Sequence, residues 1–445
     1  MTVARAGSDE HPEARRVRTR RCGILLALLL LAGCSGSSSG SEGATNTTTA
    51  KSSTTCAWNV RADRETMNIA YPDTAATYWT MSYALAPDEH LELAGQFPDA
   101  RYASFITYGP IGGPIDSLTD DEIEPDAGAT NPFRPSDGDG TTDATGDSYT
   151  VQVRSDQQPT DETNQIGAVP PDDFEAPATT EPTEGEEPAT RMRLGSGGDD
   201  AVEGTVIYRV YLPRDDADPT GGAGLPAVTI VKGDERTAVP TCEEPGASQA
   251  AIDIVNSYDR KFDEPPSTPI FIRPTPNQVN LYPNPDNVYV ATLLAHEPGR
   301  IAVIRGRAPT FPDTRAGDPI TGDEQVRFWS MCTNEARQRY PVTACASDDE
   351  VALDADGWYT FVIATAEDRP EETTATEGAT IIDWGSTDVA VVLLLRNMVA
   401  NPSFHEATDA VEPGALTGSM GDYSPTGAYC DVDTFEEGGY QACGL

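Results

Sequence analysis

Positive charge is the scarcest resource of this 445-residue chain: lysine occurs only at Lys51, Lys232 and Lys261, and 30 basic residues face 72 acidic ones, for a net charge of −42. A nucleic-acid partner is excluded on that balance, because phosphate binding needs a basic surface. Adsorption to anionic lipid through charge is disfavoured for the same reason. No apolar run approaches the roughly 20 residues needed to span a bilayer. No C-x₂-C spacing is present, which argues against a structural zinc site. The two His-Glu dipeptides, His296-Glu297 and His405-Glu406, lack a second histidine four residues on, where Arg300 and Asp409 stand instead, so a zinc-protease helix is excluded. No Ser-His-Asp or Cys-His order stands out.

The amino end carries a clear instruction. Arg15, Arg16, Arg18, Arg20 and Arg21 precede a short apolar run, Ile24 to Ala32, and then Leu31-Ala32-Gly33-Cys34. A cationic stretch, a short apolar core and small residues form a cleavable export signal. The last four residues resemble the bacterial lipobox, whose cysteine receives diacylglycerol. Residues 1–33 are therefore read as a lipoprotein signal peptide and Cys34 as the lipid-attachment site. Two acyl chains hold a protein stably on a membrane, whereas one does not. The choice between the general secretory and twin-arginine routes stays open. Residues 34–55, rich in Ser, Gly and Thr, read as a flexible tether. The Gly36-Ser37-Ser38-Ser39-Gly40 match to a hydrolase elbow falls inside this low-complexity stretch and is discounted. Without residues 1–33 the chain keeps 24 basic and 69 acidic residues, a net charge near −45, which favours solubility and names no ligand.

Six cysteines remain: Cys56, Cys242, Cys332, Cys345, Cys430 and Cys443. An even count in an exported chain favours disulfides. Proximity in sequence suggests Cys332–Cys345 and Cys430–Cys443, leaving Cys56–Cys242.

Strand patterns dominate the rest. Trp79, Met81, Tyr83 and Leu85 alternate as in a half-buried strand, and similar segments recur from Arg101–Tyr108 to Val389–Leu395. The one good helix is Ser248 to Tyr258, capped by Ser248. Residues 155–190 hold ten acids, no Lys or Arg, and Phe174 as their only aromatic, so a disordered acidic insertion is expected at about 155–200. A Pro-rich run, Pro265 to Pro285, is expected to lie flat on the surface as polyproline-like backbone.

Internal similarity is the most informative signal. At an offset of 211, Tyr71, Pro72, Tyr78, Ala84, Pro87, Gly95 and Pro98 meet Tyr282, Pro283, Tyr289, Ala295, Pro298, Gly306 and Pro309. After a further shift of 15, Arg101, Ser104 and Thr107 meet Arg327, Ser330 and Thr333. Tyr149-Thr150 meets Tyr359-Thr360, and Arg209 sits in an apolar strand as Arg396 does. The expected fold is all-β and mainly antiparallel, with two tandem, duplicated β-sandwich or jelly-roll-like domains and little helix. The first domain is 56–232, a connector with the short helix is 233–281, and the second domain is 282–445.

The phrases Gly95-Gln96-Phe97-Pro98-Asp99-Ala100-Arg101-Tyr102-Ala103-Ser104-Phe105, Phe328-Trp329-Ser330, Asp356-Gly357-Trp358-Tyr359 and Leu394-Leu395-Arg396-Asn397-Met398 resemble the tandem bacterial domains of unknown function numbered 1254 and 1214. That resemblance implies paired β-rich domains of an envelope protein and brings no activity. The arginine-rich, lysine-poor basic set resembles actinobacterial proteins.

The candidate chemistry is thin. Arg305, Arg307, Arg327 and Trp329 are the candidate ligand-binding residues, as a pocket in which arginine forks hold a carboxylate or sulfate and Trp329 stacks on a ring; the alternative is structural ion pairs. Asp137, Asp139 and Asp143 are weak calcium candidates lacking the closing bidentate Glu. No catalytic residue and no cofactor other than calcium is indicated. The expected role is a non-enzymatic binding or scaffold lipoprotein, anchored to the cell membrane through covalent lipid and facing a cell-envelope or extracellular ligand. A β-fold enzyme acting on envelope or extracellular polymers and a small-molecule capture lipoprotein are the alternatives. Metabolic labelling with a fatty-acid analogue checks the anchor: wild type carries label, and Cys34→Ala carries none.

Overall fold

The computed structural model describes residues 55–110, 112–135, 147–172, 192–257, 261–275 and 282–445, all within one compact unit, Thr54–Leu445. Cys34 and Asp137, Asp139 and Asp143 lie outside the described residues. Short β-branched and aromatic segments between Pro, Gly and Asp favour strands, and strands dominate.

The first half forms two sheets. One holds β1 (Val60–Ala62), β2 (Ala76–Leu85), β9 (Val202–Pro213), β4 (Ala100–Tyr108) and β5 (Pro114–Thr119) in that order, with β8 (Arg193–Leu194) also on β2. The other runs β11 (Glu235–Val239), β10 (Ala227–Lys232), β3 (Glu89–Gln96), β6 (Ser148–Arg154) and β7 (Gln165–Gly167). The second half repeats the pattern. Its sheets run β12 (Asn287–Leu294), β18 (Val391–Ala400), β14 (Val326–Glu335), β15 (Val342–Ser347), and β17 (Thr380–Asp383), β16 (Trp358–Ala364), β13 (Arg300–Arg307), β19 (Thr426–Asp431). The order β2-β9-β4-β5 matches β12-β18-β14-β15, and β10-β3-β6-β7 matches β19-β13-β16-β17. Details repeat too: the edge pairs β6–β7 and β16–β17 are both parallel. Each β4–β5-type pair breaks register at the equivalent place, Thr107/Tyr108 and Thr333/Asn334. The fold is therefore all-β and sandwich-like, with one strand plan used twice.

The repeated identities have packing reasons. Gly95 pairs with Tyr149 and Gly306 with Tyr359 across neighbouring strands. A Cβ on Gly95 would meet the Tyr149 hydroxyl at 2.7 Å, and one on Gly306 would meet Tyr359 as closely, so only glycine lets each ring cross the strand. Trp79, Met81, Tyr83 and Leu85 bury in the first core, as alternation predicts. Trp329, Tyr359 and Phe361 anchor the second.

The three disulfides are Cys56–Cys242, Cys332–Cys345 and Cys430–Cys443. Helix α1 (Gln249–Asn256) is capped by Ser248, whose hydroxyl accepts from the Ala251 N–H at 3.2 Å. A second helix, α2 (Val432–Ala442), was not expected from the sequence. It lays Phe435 on the outer side of β13 and β16, against Ile301, Val303 and Val362, and the Cys430–Cys443 disulfide ties its end back to β19. No described helix is long and apolar enough to cross a membrane.

Three expectations need correction. Part of the acidic stretch is ordered: β7 joins the sheet, with Ile166 and Ala168 fully buried; two well-placed apolar side chains suffice on a sheet edge, whatever the composition around them. The Pro-rich run does not lie flat: Phe271 enters the second core and Ile272 bridges to Ala291. The connector begins later, since β11 still pairs with β10.

The sandwiches meet through the sheets carrying β4 and β14, which are buried along their whole lengths. Tyr102, Tyr211, Phe328 and Met398 fill the junction. At its ends stand two reciprocal ion pairs. Arg101 Nη1 donates to Asp348 Oδ1 at 2.9 Å, and Arg327 Nη1 donates to Asp120 Oδ1 at 2.9 Å. Each carboxylate also accepts a backbone N–H, from Trp329 at 3.0 Å and Ala103 at 2.6 Å. Burial pushes Asp120 and Asp348 each up to about 7, against the downward pull of Arg327 and Arg101.

At pH 8, Arg327→Ala should cost about 3–5 kcal/mol, since it strands a buried carboxylate; denaturant unfolding reads the loss, and a cost below about 1 kcal/mol rules the pair out as a junction element. The pH trend is also defined. Both carboxyls have folded pKa values raised above 3.8, so their contribution is fully present below about pH 3.8 and is lost as pH rises through about 7. Unfolding free energy should therefore fall from pH 5 to 8, with a shallower fall in Asp120→Asn; parallel curves for the two proteins exclude this titration.

Candidate functional site

Alternation on β2 and β9 sends two rows of side chains away from the first core. Tyr78, Thr80 and Ser82 come from β2, and Thr205, Ile207, Arg209 and Tyr211 from β9. These rows floor a cavity of about 380 Å³, within the size range of small-molecule sites. Its walls are β1, the segment around Tyr71, the first turn of α1 and, from the second half, Tyr282, Asn284 and Tyr289. The site thus forms only because the two sandwiches are joined.

The lining is mixed. Ile69, Met67 and Ile207 supply apolar surface, and the tyrosines supply rings with hydroxyls. Ser82 Oγ and Thr205 Oγ1 lie 3.2 Å apart, and the Tyr78 and Tyr211 hydroxyls lie 3.0 Å apart. Burial raises the pKa of Tyr78, Tyr211 and Tyr289, so these phenols stay neutral at physiological pH. The described lining contains no Asp, Glu, His, Cys or Lys.

Arg209 is the one charged side chain in the described lining and is 2% exposed. Its guanidinium lies over the rings of Tyr78 and Tyr108, 5.6 and 5.5 Å from their centroids. Its Nη2 donates to the Tyr108 hydroxyl at 2.6 Å and to the Tyr282 carbonyl at 3.1 Å. Tyr282 and its repeat equivalent Tyr71 both have left-handed backbone, with φ of 50° and 56°, a conformation a non-glycine residue adopts only when its surroundings enforce it. The Tyr71 carbonyl in turn accepts from Arg396 at 3.5 Å.

The residues singled out in the sequence do not converge. Arg327 is spent on Asp120. Trp329 is fully buried in the second core against Tyr359. Arg305 pairs with Asp354 and lies over Tyr440, and Arg307 is exposed beside Tyr423. The pocket built on these four residues is thereby corrected: Arg305 and Arg327 are taken up by aspartates, Trp329 is enclosed in the second core, and Arg307 presents its charge to solvent. Asp354 also accepts the N–H groups of Asp356 and Trp358, closing a turn. His296 bonds Asp368 at 3.0 Å. The cluster of Asp73, Cys332 and Cys345 has metal-like spacing, but both cysteines are consumed by their disulfide. Arg209 was legible only as one half of a repeated arginine pair; its place beside a cavity depends on a wall contributed by residues 282–289.

No protein-family model matches the chain, and no curated sequence does. Among solved structures it is similar to an uncharacterised protein from Burkholderia cenocepacia, at 12% identity and a TM-score of 0.44, covering 82% of this chain and 79% of that one. It is also similar to the VPA0106 protein from Vibrio parahaemolyticus, at 10% identity and a TM-score of 0.36, covering 78% and 90%.

Proposed function

We propose that this chain is a lipid-anchored binding protein of the cell envelope, working outside the cytoplasm, and that it holds a small organic molecule in the cavity between its sandwiches. The single observation that carries the reading is the composition of that cavity: apolar surface, hydroxyls, carboxamides and one arginine, with no carboxylate, imidazole, thiol or amine in its described lining. General acid–base or nucleophilic catalysis draws mainly on such groups, whereas binding needs only concavity, apolar contact and a few oriented polar groups. The lipobox at Cys34 supports the anchor, and three disulfides suit an oxidising compartment. The kinship to the paired domains 1254 and 1214 is proposed on the same footing, from the phrases around Arg101 and Arg327 that build the junction.

The test uses the full chain in lipid nanodiscs, with empty discs subtracted, and the neutral fluorophore N-phenyl-1-naphthylamine. Wild type should bind it saturably at one site, and Thr80→Trp, which fills the floor, should weaken binding at least about tenfold. Equal binding by both proteins sinks the proposal.

A further inference from the structure

Comparing the two halves at the level of single charges exposes one that is missing. Arg396, the repeat equivalent of Arg209, forms a buried ion pair with Asp73, which also accepts from the Ser330 hydroxyl at 2.6 Å. At the offset of 211 that superposes β2 on β12, the residue equivalent to Asp73 is Asn284. Asparagine offers no charge, and Asn284 is engaged with the Tyr102 hydroxyl, its Nδ2 donating at 3.0 Å. The nearby carboxylate of Asp286 is taken by the hydroxyls of Tyr102 at 2.6 Å and Thr119 at 2.7 Å. Among the described residues no carboxylate lies within ion-pair reach of Arg209, and its Nη1 is buried with no hydrogen-bond partner. Two equivalent guanidiniums are thus buried at one junction, and a carboxylate pairs with only one of them.

An unpaired buried charge costs several kcal/mol, and the cost is relieved by any anion that reaches the guanidinium from the cavity. From this juxtaposition we infer that Arg209 is the receptor for the carboxylate of an organic acid, and that Asn284, a neutral residue where the repeat has Asp73, is what leaves Arg209 without a counter-charge of its own. This inference rests on the cavity being a binding site.

The chemistry of the ligand follows from the lining. Its head carries a single negative charge, because Arg209 is the only cation in the described lining and a phosphate of charge −1.5 to −2 would be left partly uncompensated. Its body is apolar or aromatic, to match Met67, Ile69, Ile207, Tyr71 and Tyr282. The first turn of α1 opens on the same cavity and adds the partial positive charge of a helix N-terminus. The Tyr108 hydroxyl and the Tyr282 carbonyl accept from Nη2 and fix the guanidinium in place, so its unpartnered Nη1 is preorganised for an acceptor.

Three probes of one size decide the matter on the full chain in nanodiscs: 2-naphthoate, its neutral isostere 2-naphthamide, and 2-naphthyl phosphate. The expected result is that naphthoate binds at least about tenfold tighter than the amide, a difference of about 1.4 kcal/mol, and no weaker than the phosphate. Asn284→Asp supplies the missing carboxylate from within and should reduce naphthoate affinity about tenfold while changing amide affinity far less; being isosteric, it decides the question even where an Arg209 variant fails to fold. Equal affinity for naphthoate and amide in the wild type, tighter binding of the phosphate, or an Asn284→Asp protein that binds naphthoate as before overturns the carboxylate receptor and leaves the cavity reading standing. Failure of all three probes to bind overturns both.

Discussion

Two arginines that reach out of their own sandwich to an aspartate of the other hold this protein in its working shape. Arg101 meets Asp348 and Arg327 meets Asp120, each pair buried and each carboxylate steadied by a backbone N–H two residues beyond the arginine of its own half. The exchange is reciprocal, so the halves share one junction related by an approximate two-fold. A buried ion pair contributes little net stability compared with packed apolar residues, but it penalises any arrangement that separates its partners. It therefore specifies how the sandwiches sit more than how strongly they hold. The apolar part of the work falls to Tyr102, Tyr211, Phe328 and Met398.

The junction also enforces strained backbone. Leu212 and Val399 occupy equivalent positions with φ of 46° and 47°, and their N–H groups donate to Ala75 and Asp286, again equivalent. Tyr71 and Tyr282 are a second such pair. Left-handed backbone costs a non-glycine residue about 1–3 kcal/mol, and finding it twice in matching places ties it to the junction's geometry. At Tyr71 and Tyr282 it accompanies carbonyls that accept from the two buried arginines.

Function enters where the symmetry fails. Asp73 and Asn284 occupy matching places, and only one of them can answer an arginine. The cavity beside Arg209 is walled in part by α1 and β1, elements outside the eight-strand repeat. A duplicated fold supplies two frameworks for a site, and divergence at a few positions makes one a structural ion pair and leaves the other, in the reading proposed above, as a place for a ligand.

Much of this architecture is written locally. Alternation along Trp79–Leu85, the spacing of Tyr, Pro and Gly at an offset of 211, and cysteines near one another in sequence depend on neighbours along the chain or on repetition, and the strands, the duplicated plan and the disulfides follow from them. The proposed leader and the proposed lipid site at Cys34 are likewise read from sequence alone. What only the tertiary structure decided is which buried arginine goes without a carboxylate. Arg305, Arg327 and Arg209 look alike in a string of letters; Asp354 and Asp120 neutralise the first two, and those partners lie 49 and 207 residues away. Edge strands such as β7 and the covering helix α2 were hidden for a related reason: each is held by a surface that exists only after the sheets have formed, and neither has enough local propensity to announce itself.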